Sequence, residues 1–532
     1  MTVRDMAESD VERVIEIYRA VYGEDFPFQE FYDPRWVKRG VFDDDIAWIV
    51  AEDDGTVVGT AAVMLAAGDA DDLIGEFGRL AVDPQCRSRG TGTELVRAQV
   101  DRATGRIEWG FAECRTVHPG AQKICEREGF RTVGFEPLAY RFGSRRESPV
   151  LMTRFFGHAA ALRKNNPRVI PSVFPIGCQA MQNLGLDPDL IVVEDATAYP
   201  EHGDLTVEEL QGEHAYRLLR IGSGRAWQRE ICGGMHLEYG FLKLVAHSAE
   251  YLVAKRGDVH VGAIGFVHDP IDNKVRIFEL IAADDGTKGA LLHRFTEHVA
   301  ERHGPAYIDA EVNAHSPRMQ ATLEHLGFFP IGFCPSMVFE GVERLDVVKM
   351  AKLAVPWSLG HLELIPSAEA MKDLVQHAFE ELHKGRTISD VARKVHIFQG
   401  LGDREIAQVR GICRERRHEA GEVVFSEGDP SKEIYILLEG AVAIVAGDGN
   451  GHELAKIKPG EVFGEMALID GQPRSAAAVC EEPCTFLVIT YGDLDHLMEQ
   501  QPALGKRVVH NLARTLSGRL RAADEHLERL AP

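Results

Sequence analysis

The sequence lacks a long hydrophobic run and a paired cysteine motif. No apolar stretch is long enough to span a bilayer, and the first residues do not show the charged-then-apolar pattern of a signal peptide. None of the nine cysteines forms a CxxC pair, and an odd number does not fit a framework in which every cysteine is paired. We therefore expect a cytoplasmic protein with reduced thiols and no membrane partner.

The sequence also lacks an excess of positive charge. Its 82 acidic residues outnumber its 59 basic ones, and the formal net charge is −23. Because a polyanion would be repelled, we expect no nucleic-acid partner, and an anionic ligand must be held by a local arrangement of donors. What is present is a globular composition, 45% hydrophobic and 27% charged over 532 residues, which is enough for about three or four domains.

Two stretches of the chain repeat one order of predicted elements: a hairpin, a third strand and a helix. The first copy is expected at Ala47–Ala51, Val57–Val63, Leu73–Val82 and Thr91–Ala103, and the second at Tyr251–Lys255, Val261–Phe266, Val275–Ala282 and Gly289–Arg302. Further on, Gln122 and Gln320 each stand seven residues before a Gly-Phe pair. The sequence therefore predicts two copies of one fold, which can share a fold without sharing a function.

The first copy carries a glycine-containing loop between a strand and a helix. Such a loop exposes backbone N–H groups at the positive end of a helix, and arginines add charge for a pyrophosphate. The loop consists of Arg87, Ser88, Arg89, Gly90, Thr91 and Gly92. With the surrounding order of elements, it resembles the Gcn5-related N-acetyltransferase (GNAT) family over about residues 1–150. The alternative is a loop that only turns the chain.

The resemblance implies where an acyl-CoA would bind. The pyrophosphate of acetyl-CoA or another acyl-CoA would lie on the loop Arg87–Gly92. The backbone of Leu80, Ala81 and Val82 would pair with the pantetheine arm as an extra strand does.

Transfer of an acyl group to an amine is helped by a general base, and Glu76 is the sequence's candidate. We expect it on the strand face of Leu80 and Val82, where apolar surroundings would raise its pKa. Several family members place a base carboxylate on this strand; the alternative is a solvated carboxylate. The family often has a tyrosine acid where this sequence has Cys125, so the acid falls to Cys125, to His118 or to water. His118 is equally compatible with a structural role.

The matching loop of the second copy has lost this pattern. It reads Ala283–Gly289, and Asp284 and Asp285 would face the phosphates while Lys288 offsets part of their charge. We therefore expect the second copy to be degenerate and to serve as a scaffold or as part of an acceptor pocket.

A cassette near the C-terminus resembles the phosphate-binding cassette of cyclic-nucleotide-binding domains. It consists of Phe463, Gly464, Glu465, Met466, Ala467, Arg474, Ser475 and Ala476. The resemblance implies cAMP or cGMP as ligand. The forked guanidinium of Arg474 suits the phosphate, Glu465 suits the free ribose hydroxyl, and Ser475 adds a donor. The alternative is a domain without a ligand, in which Glu465 and Arg474 form an ordinary salt bridge.

An apolar stripe follows the cassette at helical spacing within Pro502–Leu530. This helix is expected to cap the base, to form a homodimer seam or to pack on its own domain. Since only two residues follow Leu530, we expect no helix-turn-helix and no Crp-type transcription factor.

The predicted fold is mixed α+β and α/β, with two GNAT-like α/β domains before a β-barrel (jelly roll) and a C-terminal helix. The expected boundaries are 1–195 for the acyltransferase domain, 196–360 for the degenerate copy, 361–392 for a helical linker and 393–532 for the nucleotide-binding domain. The predicted function is acyl-CoA-dependent N-acylation of a protein lysine or small-molecule amine, regulated by cyclic nucleotide and without a metal. A bacterial protein-lysine acetyltransferase gated by cAMP pairs the same modules in the opposite order. The alternative is a non-catalytic sensor that acts through partners.

Overall fold

The structure is a computed structural model in two compact units, Met1–Glu380 and Glu381–Pro532. It describes residues 1–24, 26, 28–67, 71–87, 89–143, 145–201, 205–210, 229–233, 249–394, 401, 409, 412–447, 452–469, 471–502, 504–514 and 516–517.

The strands of the N-terminal unit are mostly short and apolar. They are β1 Thr2–Asp5, β2 Ile46–Asp53, β3 Thr56–Met64, β4 Ile74–Val82, β5 Trp109–Cys114, β6 Arg131–Phe135, β7 Tyr140–Phe142, β8 Arg145–Glu147, β9 Val150–Phe155, β10 Arg168–Val169, β11 Ile191–Val192, β12 Thr206–Glu209, β13 Ala249–Arg256, β14 Val259–Asp269, β15 Lys274–Ala282, β16 Tyr307–Asn313, β17 Phe329–Glu340 and β18 Glu343–Leu353.

The helices of this unit alternate with the strands. They are α1 Val11–Tyr22, α2 Pro34–Val41, α3 Thr91–Ala103, α4 Gly120–Arg127, α5 Phe174–Asn183, α6 Asp285–Arg302 and α7 Pro317–His325, followed by α8 Pro366–Lys394, which begins in this unit.

One 14-stranded sheet runs through the N-terminal unit in the order β1-β2-β3-β4-β5-β9-β6-β17-β18-β16-β15-β14-β13-β12. Read from its two ends toward the middle, the sheet shows the same order and the same sense of pairing. In each half one neighbouring pair is parallel, β4 with β5 and β15 with β16, while the other pairs are antiparallel. The repeat read from the sequence is therefore present as a repeat of strand order.

The two halves meet at a close approach of two glycines. Gly134 of β6 pairs with Gly332 of β17. A Cβ on Gly134 would lie 2.9 Å from the carbonyl oxygen of Ile331, so a larger residue would push the strands apart. The sheet is continuous through this point, which lies at the middle of the strand order.

The two glutamines of the repeat also make equivalent contacts. Gln122 in α4 accepts a hydrogen bond from the N–H of Ile365 at 3.1 Å. Gln320 in α7 accepts one from the N–H of Ile170 at 3.1 Å. Each glutamine therefore fixes a connecting segment against its own half.

The C-terminal unit is built from two open sheets. Its elements are β19 Arg414–His418, β20 Val423–Phe425, β21 Glu433–Glu439, β22 Val442–Val445, β23 Glu453–Ile457, β24 Val462–Phe463, β25 Ala477–Cys480, β26 Cys484–Thr490, α9 Met466–Ile469 and α10 Tyr491–Gln500. The sheets have the orders β19-β26-β21-β24 and β20-β25-β22-β23.

The prediction of a β-barrel (jelly roll) is confirmed in part: the observed form is a two-sheet sandwich, and neither sheet closes into a barrel within the described residues. Alternate residues of β21 explain the arrangement, because successive side chains point to opposite faces of a strand. Tyr435 and Leu437 belong to an apolar cluster with residues of the second sheet such as Val442 and Ala478. Ile434 and Ile436 belong to a cluster formed with the helices. The short edge strands remain unjoined within the described residues.

The apolar stripe after the cassette packs, in its described part, on its own unit. Leu504, Val508 and Leu512 are buried in one cluster with Leu494 and Leu497 of α10. Its later leucines (Leu520, Leu527 and Leu530) and the predicted entry helix at His396-Ile397-Phe398 lie outside the described residues.

Helix boundaries follow the sequence prediction in the first half more closely than in the second. Helix α3 spans Thr91–Ala103 as predicted. Helix α6 begins at Asp285, four residues before the predicted Gly289. The reason is the side chain of Asp284, which accepts a hydrogen bond from the N–H of Thr287 at 2.8 Å and caps an earlier turn.

Candidate functional site

The neighbouring strands β4 and β5 part in the middle of the first half. Their parallel pairing runs from Ile74 with Trp109 to Glu76 with Phe111 and ends there. The predicted pantetheine strand, residues 80–82, therefore lies beyond the point of separation. In this stretch β4 has no pairing with β5, as an extended ligand that adds as a strand requires, and the Leu80 carbonyl accepts a hydrogen bond from the Tyr22 hydroxyl at 3.4 Å.

A cavity of about 1170 Å³ occupies the space where the strands part. Most of the residues singled out in the sequence line it, namely Glu76, Leu80, Ala81, Val82, Arg87, Gly90, Thr91, Gly92, His118 and Cys125. Its opposite wall is aromatic and includes Tyr22, Phe28, Phe31, Trp36 and Phe142. The fold thus brings together residues that are scattered over the first 142 positions of the chain.

The N-terminus of α3 forms one end of this cavity. Gly90 precedes the helix with φ of 84°, a left-handed conformation that favours glycine, and no side chain caps the helix there. The leading N–H groups are thus directed at the cavity with the positive end of the helix dipole. Arg87 is exposed and forms no ion pair within the described part of the chain.

The predicted loop residues do not all face the cavity. Arg89 lies 3.7 Å from the carboxylate of Asp53, and Ser88 lies outside the described residues. The sequence reasoning missed two cations that do line the cavity, Lys123 and Arg127 of α4. Their i, i+4 spacing on a short helix was the available signal, since it places both on one helix face.

Glu76 lies on a different face from the one predicted. The register of β4 against β3 slips, so that Gly78 pairs with Ala62 and Ala81 pairs with Thr60. This bulge, where Arg79 has φ of 55°, inserts one residue into β4 and reverses the alternation. Glu76 therefore shares its face with Ala81 instead of Leu80 and Val82.

The surroundings of Glu76 are also not apolar. Arg79 Nη1 donates a hydrogen bond to Glu76 Oε1 at 2.6 Å. Glu76 is thus a member of an ion pair at the cavity wall.

Glu113 is a second carboxylate of the cavity that the sequence reasoning missed. It lies on β5, is half-buried and accepts a hydrogen bond from the hydroxyl of Tyr140, which also lines the cavity. Burial and the nearby carboxylate of Glu136 raise the pKa of Glu113, and the cations Lys349 and Lys274 offset part of this effect. The only signal in the sequence was a carboxylate inside an apolar strand.

The cations that act on Glu113, Lys349 and Lys274, come from the second half of the sheet. Lys349 of β18 lies 2.6 Å from Glu136 and 3.7 Å from Glu311. Although burial acts in the opposite direction, Lys349 and Lys274 hold the pKa of Glu136 below its usual value. Glu136 therefore stays ionised and contributes to the raised pKa of Glu113.

Cys125 lies beside a second thiol. Its sulfur is 3.7 Å from that of Cys114, the last residue of β5, and both cysteines line the cavity. The hydrogen bond with Cys125, together with burial, raises the pKa of Cys114. His118 is exposed, and its Nδ1 accepts a hydrogen bond from the N–H of Gly120 at 3.2 Å.

In the second half, the space that corresponds to the cavity is filled by the chain itself. The pairing of β15 with β16 ends at Ile277 with Ala310. Beyond it, the N–H of Cys232 donates to the carbonyl of Glu311 at 2.7 Å, and Glu230 accepts from Asn313 at 2.9 Å. Residues 229–233 thus add to β16 as an extra strand would, where a ligand would otherwise lie.

The N-terminus of α6 is covered as well. Asp284 caps the helix, and the carbonyl group of Pro200 packs so closely on Gly289 that it leaves no room for a Cβ. Lys288 Nζ lies 2.5 Å from Glu230 of the inserted segment. The two halves therefore share a strand order but differ in whether the helix end is free.

In the C-terminal unit, the structure places the predicted Arg474 in the interior. It is 3% exposed and donates to the carbonyl oxygens of Gly464 at 2.7 Å and Glu433 at 2.8 Å. The guanidinium carbon lies 4.1 Å from the centre of the Phe425 ring. Burial lowers the pKa of Arg474, and Glu433 and Glu465 are among the carboxylates that offset this.

The other cassette residues surround this arginine. Phe463 ends β24, Gly464 has φ of 77°, and Glu465 is 2% exposed. Ala467 and Ala476 are buried, whereas Met466 and Ser475 are exposed. The structure thus brings Glu465 and Arg474 into one neighbourhood, at the turn between β24 and α9.

Two parts of the chain match known family models. Residues 44–132 match the model of the acetyltransferase (GNAT) domain. Residues 415–501 match that of the cyclic nucleotide-binding domain. The chain contains a GNAT domain and a cyclic nucleotide-binding domain. The match to the GNAT domain covers β4, the loop, α3 and all of α4, while the second half of the sheet has no such match among those found.

Curated relatives share about a quarter of the chain. The cyclic AMP receptor protein of Thermus thermophilus is 35% identical over 25% of this chain and 62% of its own length. Glutaminase 1 of Bradyrhizobium diazoefficiens is 33% identical over 25% of this chain and 21% of its own length. The chain therefore spans less than two thirds of either relative.

Solved structures cover similar shares. A cyclic nucleotide-binding domain from Methylobacillus flagellatus is 26% identical, with 28% of this chain and 85% of that chain covered and a TM-score of 0.26. A ribosomal-protein-alanine N-acetyltransferase from Brucella melitensis is 18% identical, with 29% and 100% covered and a TM-score of 0.26.

Among the described residues, no group of three or more His, Cys, Asp or Glu side chains is arranged to hold a metal ion. No helix in the described part of the chain combines the length and apolar character needed to cross a membrane.

Proposed function

We propose that the GNAT domain transfers an acyl group from acetyl-CoA or a related acyl-CoA to an amine. The supporting observation is the contrast between the two halves of the sheet. The first half has parted strands, a cavity and an uncapped helix, while residues 229–233 and Pro200 fill the same places in the second. An acyl-CoA pyrophosphate suits the N–H groups of α3 and the cations Arg87 and Lys123.

Glu113 is the general base of this proposal. The acceptor amine arrives protonated, and Glu113 takes its proton so that the nitrogen can attack the thioester carbonyl carbon. A carboxylate with a raised pKa accepts a proton more readily than an ordinary one, and burial together with Glu136 raises the pKa of Glu113. The C–S bond then breaks, and the CoA thiolate takes a proton from His118, Cys125 or water.

The second half of the sheet, in this proposal, is a GNAT-like copy without an acyl-CoA site. Its position at 196–360, after an acyltransferase domain at 1–195, is part of the proposal. Asp269 of β14 lines the cavity of the first half, so the second copy contributes to the acceptor side. The acceptor is a protein lysine or a small-molecule amine.

Two measurements test the acyltransferase. Calorimetric titration with acetyl-CoA is expected to show binding, and CoA release in the presence of an amine panel is expected to show turnover. Glu113→Gln should bind acetyl-CoA as the wild type does but release CoA far more slowly. Glu76→Gln is the matched control, since it changes the carboxylate that is paired with Arg79. Binding without CoA release from any amine would favour the non-catalytic sensor instead.

We propose further that the C-terminal domain binds cAMP or cGMP and regulates the transferase. Arg474 and Glu465 would contact the phosphate and the ribose hydroxyl. Because the buried Arg474 already donates to Gly464 and Glu433, a phosphate would compete with two carbonyl acceptors. A homodimer through the C-terminal helix belongs to the same proposal.

Titration with each nucleotide tests this part. Heat from cAMP or cGMP should disappear in Arg474→Lys, which keeps the charge but loses the forked donor. Arg417→Lys is the matched control, because Arg417 is a largely exposed arginine of the same domain. A change in acetyl-CoA affinity when nucleotide is present would establish the regulatory link, and an unchanged affinity would contradict it.

A further inference from the structure

The cavity of the first half contains a pair of thiols on different elements. Cys114 ends β5 and Cys125 lies in α4, with their sulfurs 3.7 Å apart. They are only 3% and 5% exposed, but both line the cavity, so a small molecule reaches them through it. Cys86, a third thiol in the cavity wall, is half-buried.

We propose that Cys114 and Cys125 form a disulfide under peroxide and thereby close the acyl-CoA site to its ligand. The reaction joins the two sulfurs in one bond. The two thiols lose two protons and two electrons, and one hydrogen peroxide molecule is reduced to two water molecules. A thiol reductant restores both thiols.

The bond requires α4 and the end of β5 to move toward each other. The two sulfurs must close from 3.7 Å to a bond length of about 2.05 Å. A packed interior transmits such a shift to its neighbours, because it has few voids to absorb it.

The displacement of α4 reaches the loop that would hold the pyrophosphate. Ile124, next to Cys125, packs so that its Cδ1 lies 3.1 Å from where a Cβ of Gly92 would stand. Glu128, just after α4, forms an ion pair with Arg97 of α3 at 3.2 Å. Movement of α4 is therefore passed to the N-terminal turn of α3. The effect on acetyl-CoA rests on the proposed function; the disulfide itself does not.

The experiment uses the full chain, reduced or treated with hydrogen peroxide, then alkylated and digested with trypsin. Cleavage places Cys114 in the peptide Ile107–Arg115 and Cys125 in Ile124–Arg127, so the disulfide appears as one linked peptide pair. Acetyl-CoA affinity is measured on the same samples. We expect the linked pair together with about a tenfold or greater loss of affinity, since small displacements in a binding site have effects of this size. A reductant should reverse both, and bound acetyl-CoA should slow the formation of the link.

Cysteine variants distinguish the effect of the Cys114–Cys125 disulfide from the effect of oxidation at other residues. Cys114→Ala and Cys125→Ala should each keep their own acetyl-CoA affinity after peroxide, while Cys86→Ala should lose affinity as the wild type does. A peroxide dose that oxidises Cys86 without producing the linked pair would overturn the proposal. So would a linked pair with unchanged affinity, or a Cys114→Ala variant as sensitive as the wild type. If the reduced wild type does not bind acetyl-CoA, the proposed function fails, while the linked peptides still report on the disulfide.

Discussion

The uncapped N-terminus of α3 allows one charge to be tested in isolation. Gly90 precedes this helix in a left-handed conformation with φ of 84° and lines the cavity. Asp and Asn both tolerate this conformation better than other side chains and have nearly the same size. Gly90→Asp and Gly90→Asn therefore differ in one negative charge, at the place where the pyrophosphate is proposed to bind.

The two variants should change stability and affinity in opposite directions. A carboxylate at a helix N-terminus interacts favourably with the dipole by about 0.3–1 kcal/mol, so Gly90→Asp should be slightly more stable than Gly90→Asn. A phosphate charge about 4 Å from that carboxylate is repelled by about 1 kcal/mol in water and about 4 kcal/mol near a protein surface. Since Gly90 is exposed, we take about 2 kcal/mol, which is about a 30-fold weaker acetyl-CoA affinity.

Calorimetric titration with acetyl-CoA and thermal unfolding of both variants form the assay. The difference in affinity should narrow as salt is added, because the charges lie at the surface. Equal affinities for Gly90→Asp and Gly90→Asn at low salt would refute the reasoning, since no anion would then lie at this helix end. A difference in affinity that follows the difference in stability would do the same.

Four other outcomes are expected. Glu113→Gln should lower the rate of CoA release by about 10²–10⁴-fold, the usual contribution of a general base. In the wild type, activity should fall as the pH drops through the raised pKa of Glu113. Because the Tyr140 hydroxyl lowers that pKa, Tyr140→Phe should move the acidic limb of the kcat/KM profile to higher pH. Arg87→Ala should weaken acetyl-CoA binding about tenfold or more, as loss of a charged hydrogen bond does, while Lys288→Ala in the filled half should leave it unchanged in titration. Arg474→Ala leaves two partly buried carbonyls without their donor, so the free energy of unfolding of the C-terminal unit should fall by about 3 kcal/mol in a denaturant titration.

Local patterns in the sequence were sufficient for the hairpin, the third strand and the helix of the first copy. The helix Thr91–Ala103 was predicted to its end residues because a glycine precedes it and apolar side chains recur at helical spacing. The face of Glu76 was mispredicted for an equally local reason. Strict alternation holds only for an unbroken strand, and nothing at Arg79 marks a bulge, since that residue usually avoids positive φ.

The more informative features of the site depend on residues far apart in the chain. The environment of Glu113 is set by Tyr140 from a later hairpin and by Lys274 and Lys349 from the second half of the sheet. Periodicity reports which face of a strand a residue occupies, but it does not report which charges the other half places behind it. The thiol pair is of the same kind, because two cysteines with 10 residues between them give no spacing signal of their own.

The path of the connecting chain explains why one half is open and the other filled. Gln320 fixes the segment at Ile170. Further along, Tyr199 donates its N–H to Thr322 of α7 at 2.8 Å, and Pro200 packs on the first turns of α6. Gln122 fixes the segment at Ile365, which leads directly into α8. The same glutamine contact thus precedes two different paths. Within the described residues, only the path from Ile170 to Pro200 covers a helix N-terminus. The loop sequences Arg87–Gly92 and Asp284–Gly289 by themselves do not show that the N-terminus of α6 is covered. The residues that cover it lie 80 or more positions earlier in the chain.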